Sequence, residues 1–207
     1  GLKNLTYVIS VSESHNKANI NRTHDQSFEE LRRIRESFPE LQLCIGMATT
    51  FGCPFEGIPD LDKVLRFVER IRSCDVDTVY LADTIGIADP AQVRRTVKGI
   101  MERFPDTKMQ VHIHDTRGMG LVNTLAAIEA GVDTVQSTLG GLGGCPFAPG
   151  ASGNTATEDL VYMLQRMGYD TGIDFGRLLA LSKEQHAEID GIYSGHQMNI
   201  AAKSPCC

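Results

Sequence analysis

Two histidines one residue apart, His112 and His114, sit in the stretch V-H-I-H-D-T-R-G, residues 111–118. Side chains alternate faces along a strand, so both imidazoles are expected on one face and Ile113 on the other. Imidazoles at that spacing suit a divalent first-row metal, and His112 and His114 are read as its ligands. The plainer alternative is a pair of polar residues filling one layer of a barrel, one of them hydrogen-bonded to Asp115.

A glycine-rich segment, G-G-L-G-G-C-P-F-A-P-G-A-S-G-N, covers residues 140–154. Glycines this dense allow backbone N–H groups to approach a ligand, and they allow a loop to move over a site. Its Cys145 is either a small buried residue in a tight turn or a thiol that exchanges a proton or attacks a carbonyl. Spacing alone leaves both readings open. Asn154 either caps a helix beginning near Thr155 or presents an amide oxygen beside the imidazoles, and the two roles are compatible. Two imidazoles and an amide suit Mg2+ or Mn2+ better than a closed structural zinc site. Asp83, in L-A-D-T-I-G, ends a strand. It is read either as a carboxylate that caps a loop or as an acid that orients a substrate hydroxyl or a bound water. Cys53, in F-G-C-P-F-E-G, looks like the Cys145 loop in miniature and is assigned a structural role. His15 and His24 are expected at the surface of a polar loop, and His186 and His196 carry no motif.

The elements that must position these residues alternate regularly. Strands are predicted at residues 5–11, 41–50, 77–82, 109–114 and 133–139. Residues 12–22 read as a polar loop. Ser27 and Glu30 read as a capping box for the first helix, whose apolar positions are Leu31, Ile34 and Phe38. Asp60 caps a second helix, Asp89 and Pro90 start a third, and residues 121–130 form a fourth stopped by Gly131. Asn154 or Thr155 caps a helix through Met167, and a last helix covers residues 175–193. Strand, loop and helix repeated five times predict parallel strands with right-handed crossovers. Both an open doubly wound sheet and a (β/α)8 TIM barrel fit. The barrel is preferred, because Asp83, His112, His114 and the Cys145 loop all lie at strand C-termini, which a barrel gathers at one mouth. Five strands do not close a barrel. Residues 1–207 are read as a single domain, and either further strands precede it or the sheet is open.

Composition narrows the partners. The chain has 207 residues, a net charge of -6 and a pI of about 5.5. Such a balance offers no electrostatic footprint for nucleic acid. No apolar run is long enough to span a membrane. The six cysteines include no C-x-x-C pair, which fits a reducing cytoplasm, or a mitochondrial matrix in a eukaryote.

Taken together, S-E-S-H-N-K-A-N-I-N, G-C-P-F-E-G, D-T-I-G, V-H-I-H-D-T-R-G and G-L-G-G-C-P-F-A-P-G-A-S-G-N-T-A-T-E-D-L-V-Y-M-L closely resemble the 3-hydroxy-3-methylglutaryl-CoA lyase family. The resemblance implies a (β/α)8 barrel and a Mg2+ or Mn2+ ion held by His112, His114 and Asn154. It also implies a catalytic cysteine at Cys145, an active-site acid at Asp83, and substrate contacts from Asp83 and Thr84. The implied reaction is retro-Claisen cleavage of an acyl-CoA, giving acetyl-CoA and acetoacetate, as in leucine degradation and ketone body formation. Asp83 or His112 would take the hydroxyl proton, and Cys145 would protonate the enolate. A homodimer is implied as well. The family's first strand carries an Arg-Asp pair and its second a glutamate; neither is found here, so three further βα units are expected ahead of this stretch. A related lyase or aldolase acting on another hydroxyacyl-CoA or hydroxy-keto acid, or a non-catalytic truncated barrel, are the alternatives.

Overall fold

Five parallel strands form one sheet in their order of occurrence: β1 (Asn4–Ser10), β2 (Gln42–Ala48), β3 (Thr78–Asp83), β4 (Met109–Ile113) and β5 (Thr134–Gln136). The computed structural model describes residues 1–144, 147 and 153–200. A doubly wound sheet would require the strand order to reverse at a switch point. Here each strand pairs with its sequence neighbours and no reversal occurs. Helices α2 (His24–Ser37), α3 (Leu61–Arg72), α4 (Pro90–Arg103) and α5 (Gly120–Glu129) alternate with the strands. The architecture is an arc of a (β/α) barrel, five consecutive units long.

Strand alternation divides the sheet into two chemically distinct faces. Ile9, Ile45, Met47, Val79, Leu81 and Val111 are fully buried. They pack against Phe28, Leu31, Val68, Ile71, Val97 and Ile100 of the helices. Burying a side chain of this size stabilises by about 1.5–3 kcal/mol, so this helix-covered face is the core. The other, inner face carries smaller and more polar residues: Thr6, Cys44, Gly46, Thr78, Gln110 and His112. Gly46 is required there, because a Cβ at that position would meet the Tyr80 hydroxyl oxygen at 2.2 Å.

Five local expectations need correction. Residues 12–22 are not a loop: α1 (Glu13–Ile20) occupies them, and the Ser12 hydroxyl accepts the His15 amide at 3.1 Å. This helix escapes a search for apolar periodicity because its buried residues are His15 and Asn16. The capping box of α2 is Thr23 with Gln26, not Ser27 with Glu30. Ser27 lies inside instead, and its hydroxyl accepts from the Asn16 amide at 2.9 Å. Helix α6 (Thr157–Arg166) starts at Ala156 without a side-chain cap, so neither Asn154 nor Thr155 caps it. β5 is shorter than predicted because Thr138 leaves the sheet and pairs with Ala156. Helix α7 (Phe175–Glu188) ends before Tyr193, whose hydroxyl turns back to donate to the Ile189 carbonyl at 2.8 Å. The Asp60 and Asp89 caps form as the sequence suggests.

Candidate active site

The register lines up the C-terminal ends of the strands. Ser10 pairs with Ala48, and Ala82 with His112, which in turn pairs with Gln136. Carrying the β2–β3 register one residue further sets Ala48 beside Ala82. The row at the mouth therefore reads Ser10, Ala48, Ala82, His112, Gln136. Two alanines in its middle leave a floor of small side chains beside the imidazole.

His112 and His114 turn toward each other, with their Nε2 atoms 3.1 Å apart and their rings tilted by 67°. Ile113 between them is buried in the core. Burial pushes the His112 imidazole below its ordinary pKa, although Gln136 and Asn154 beside it offset part of the effect. Burial pushes His114 down to about 4, with the neighbouring His112 adding to the fall. Both rings therefore stay neutral at physiological pH and keep lone pairs for a cation.

Asn154 reaches the same place from the other end of the glycine segment. Its backbone forms an antiparallel bridge with His114, while Thr155 donates its hydroxyl to the Ile113 carbonyl at 2.9 Å. The Asn154 amide nitrogen donates to the Leu142 carbonyl at 3.0 Å, leaving Oδ1 buried without a hydrogen-bond partner among the described residues. An orphaned buried carbonyl is costly unless something accepts its lone pairs. Neighbouring ligands of an octahedral ion held at about 2.1 Å lie roughly 3.0 Å apart, close to the observed separation of the imidazole nitrogens. The set accordingly fits a divalent ion. Among the described residues, no three or more His, Cys, Asp or Glu side chains group to hold a metal, so Asn154 would have to supply the third donor.

Two glycines permit this approach. Gly143 has φ 133°, and a Cβ there would lie 2.4 Å from the Asn154 amide nitrogen. Gly153, at φ 74°, would drive a Cβ to 2.2 Å from the Gly143 carbonyl oxygen. Only residues without a side chain let the two ends of the connection cross here. Cys145 lies outside the described residues.

Asp83 and Thr84 occupy opposite sides of the mouth. Asp83 shares the helix-covered face of Val79 and Leu81 and is fully buried. Its two carboxylate oxygens accept the amides of Ile87 at 3.0 Å and Ala88 at 3.1 Å, which clamps the β3–α4 loop. Burial pushes its pKa up to about 6 despite those bonds. Thr84 follows on the inner side, and its hydroxyl oxygen accepts the Thr49 amide at 2.7 Å. That leaves the Thr84 O–H available to a ligand.

Several groups at this end were not recognised in the sequence. His15 is not at the surface: it is 1% exposed, with Nδ1 2.7 Å from the Ser10 hydroxyl. His24 is half-buried, with Nε2 2.8 Å from the Ser10 carbonyl oxygen. Glu158 is fully buried, accepting the Gly140 amide at 3.0 Å and the Ser182 hydroxyl at 2.8 Å. Ser194 donates its hydroxyl to the Asn154 carbonyl at 2.7 Å. These last two fasten the roots of the glycine segment. The E-D pair beginning α6 was the available signal, but acids in a first helical turn are ordinarily read as helix-dipole partners. Asp115 accepts the Gly120 amide at 2.6 Å and makes no hydrogen bond to either imidazole.

Parallel strands in barrel order, with paired imidazoles and a side-chain amide at their C-terminal ends, define a (β/α)-barrel protein with its candidate site at the strand C-termini. The HMGL-like family profile matches residues 1–184, and the chain belongs to that family. The hydroxymethylglutaryl-CoA lyase YngG of Bacillus subtilis (strain 168) is 38% identical over 185 residues, covering 88% of this chain and 62% of the relative. The (R)-citramalyl-CoA lyase of Chloroflexus aurantiacus is 39% identical over 184 residues, covering 88% and 58% respectively. This chain thus spans about three fifths of the length of these relatives. Among solved structures, the B. subtilis HMG-CoA lyase superposes with a TM-score of 0.89 at 35% identity, covering 95% of this chain and 66% of that one. An HMG-CoA lyase from Acinetobacter baumannii, in complex with coenzyme A and 3-methylmalate, gives 0.86 at 41% identity, covering 96% and 68%. Among the described residues, no helix is long and apolar enough to cross a membrane.

Proposed function

We propose that this chain supplies the C-terminal strands of the active site of a divalent-metal-dependent lyase. Its substrate would be a tertiary 3-hydroxyacyl-CoA, cleaved between C2 and C3 to release acetyl-CoA. The observation that carries the reading is the 3.1 Å approach of His112 Nε2 and His114 Nε2 beside the Asn154 side chain, whose Oδ1 is buried without a hydrogen-bond partner among the described residues. Family membership and a relative that binds coenzyme A with a hydroxy diacid support it.

Within this reading His112, His114 and Asn154 hold Mg2+ or Mn2+. When bound, the ion would supply Lewis-acid polarisation of the substrate hydroxyl, which lowers its pKa. Burial keeps both imidazoles neutral, so protons do not compete for their lone pairs near pH 7. Thr84 directs its free O–H to a substrate oxygen. Asp83 clamps the loop that carries Thr84 and fixes its position. The Ala48–Ala82 floor admits the acyl chain beside His112. The hydroxyl proton goes to His112 if that ring is not fully committed to the ion, since Asp83 faces the helices. Cys145 returns a proton to the acetyl-CoA enolate.

3-Hydroxy-3-methylglutaryl-CoA is the substrate that most of the resemblance favours, with acetoacetate as the second product. A second reading rests on the (R)-citramalyl-CoA lyase, which matches at 39% against 38% for the B. subtilis enzyme. Its substrate carries the same tertiary alcohol and methyl group with one methylene fewer before the carboxylate, and a methylene is worth only about 1–3 kcal/mol in discrimination. Assay of both thioesters with Mn2+, following acetyl-CoA release, separates the two by their kcat/KM ratio. Release of acetyl-CoA from neither would overturn the proposal.

A further inference from the structure

The tetrapeptide G-C-P-F occurs twice, at residues 52–55 and 144–147. The two copies leave different strands, one after β2 and the other after β5. Their phenylalanines nevertheless meet: the rings of Phe55 and Phe147 lie 6.1 Å apart, edge to face at 82°. His15, in the first turn of α1, completes the group, with its ring 4.2 Å from Phe147 and 6.2 Å from Phe55. β1 and β5 are the two edges of the sheet, so Phe147, which follows β5, packs against groups that follow β1 and β2.

The receiving side is rigid. Cys53 and Gly57 exchange two backbone hydrogen bonds, at 2.9 and 3.0 Å. The Cys53 sulfur accepts the amides of Phe55 and Glu56 at 3.3 and 3.4 Å. Glu56 in turn accepts the Ser14 amide at 2.9 Å, tying this turn to α1. His15 is held through Nδ1 by the Ser10 hydroxyl, and its Nε2 is buried without a hydrogen-bond partner among the described residues. Such an edge suits a surface shaped to receive a ring. Offset and edge-to-face pairs at these separations are the preferred aromatic arrangements.

We infer that His15 and Phe55 form a seat for Phe147 and act as positioning residues for Cys145, which lies two residues before it in the chain. The inference deepens the lyase reading and rests on it for its kinetic consequence. The seat itself is tested without that reading. Phe147→Ala removes the ring that covers His15, and Phe147→Tyr retains one. His15 modification by diethylpyrocarbonate, located by peptide mass spectrometry, reports the seat directly. The modification rate should rise at least fivefold in Phe147→Ala and return toward the parent rate in Phe147→Tyr. Equal rates in all three proteins overturn the seat whether or not the protein is a lyase.

Positioning is read from the kinetic constants. Phe147→Ala should lower kcat by tenfold or more with KM and Mn2+ affinity within twofold of the parent, and Phe147→Tyr should recover most of kcat. Phe55→Ala, which alters the receiving side alone, should show the same split. Faster His15 modification with unchanged kcat would refute the positioning role. Parallel losses in kcat and Mn2+ affinity would also refute it, by showing general damage to the fold.

Discussion

Asp83 offers the sharpest test of how the mouth is built, because its environment fixes both a sign and a size. The carboxyl is fully buried and pushed from 3.8 up to about 6, chiefly by loss of solvation. Two backbone amides hold it, those of Ile87 and Ala88. A folded-state pKa above the unfolded one means that the native protein binds more protons between about pH 4 and pH 6. Stability from this group is therefore present below pH 4, falls as the pH rises to about 6, and is level above that. Taking about 1.36 kcal/mol for each pKa unit, the loss is roughly 3 kcal/mol. Asp83→Asn cannot titrate. At neutral pH it escapes that penalty but turns an amide NH2 toward one of the two backbone N–H groups, at a cost of about 1–3 kcal/mol. The two proteins should thus be of similar stability at pH 7. At pH 4 the parent should be the more stable by roughly 3 kcal/mol more than it is at pH 7. Urea unfolding followed by circular dichroism, at pH 4 to 7, measures this difference. A stability gap that does not change with pH would refute the assignment of Asp83 as a buried loop clamp. Mn2+ affinity of the variant at pH 7 should stay within twofold of the parent.

Other outcomes follow from the same geometry. His114→Ala should weaken Mn2+ binding by about tenfold or more, as loss of even an outer-shell partner of a metal ligand does, with circular dichroism unchanged. In the parent protein that binding should hold at pH values where an ordinary imidazole protonates, because burial lowers both rings, and then fall as they protonate; isothermal titration across pH 4.5–7.5 checks the sign. Gly143→Ala places a methyl group 2.4 Å from the Asn154 amide at φ 133°. Backbone strain of this kind costs about 1–3 kcal/mol, and displacement of Asn154 should weaken Mn2+ binding in the same variant.

Much of this arrangement was legible in the sequence because it rests on simple periodicities. Alternation along β4 alone put His112 and His114 on one face, and the five-fold strand–helix repeat set the order of the sheet. The location of chemistry-bearing residues at strand ends pointed to a barrel rather than a doubly wound sheet. The failures share one cause. Helix α1 buries His15 and Asn16 rather than apolar residues, so its polar sequence resembles a loop. Asn154 looked like a helix cap because its type and position suit one, whereas the backbone bridge to His114 depends on a contact 40 residues away. The orientation of Asp83 toward the helices followed from strand parity and was readable in principle. The clamp made with Ile87 and Ala88 was not, since it depends on how the following loop turns. Nor did the repeated G-C-P-F disclose that its two copies meet, because that juxtaposition arises only once β1 and β5 are set in one sheet.

The central claim is that His112, His114 and Asn154 form a single divalent-cation site. Anomalous diffraction from crystals grown with millimolar Mn2+ tests it most directly. The account predicts a peak within about 2.4 Å of both imidazole Nε2 atoms and of the Asn154 side-chain oxygen. No peak at the mouth, or a manganese ion bound elsewhere while these three groups remain uncoordinated, would contradict it.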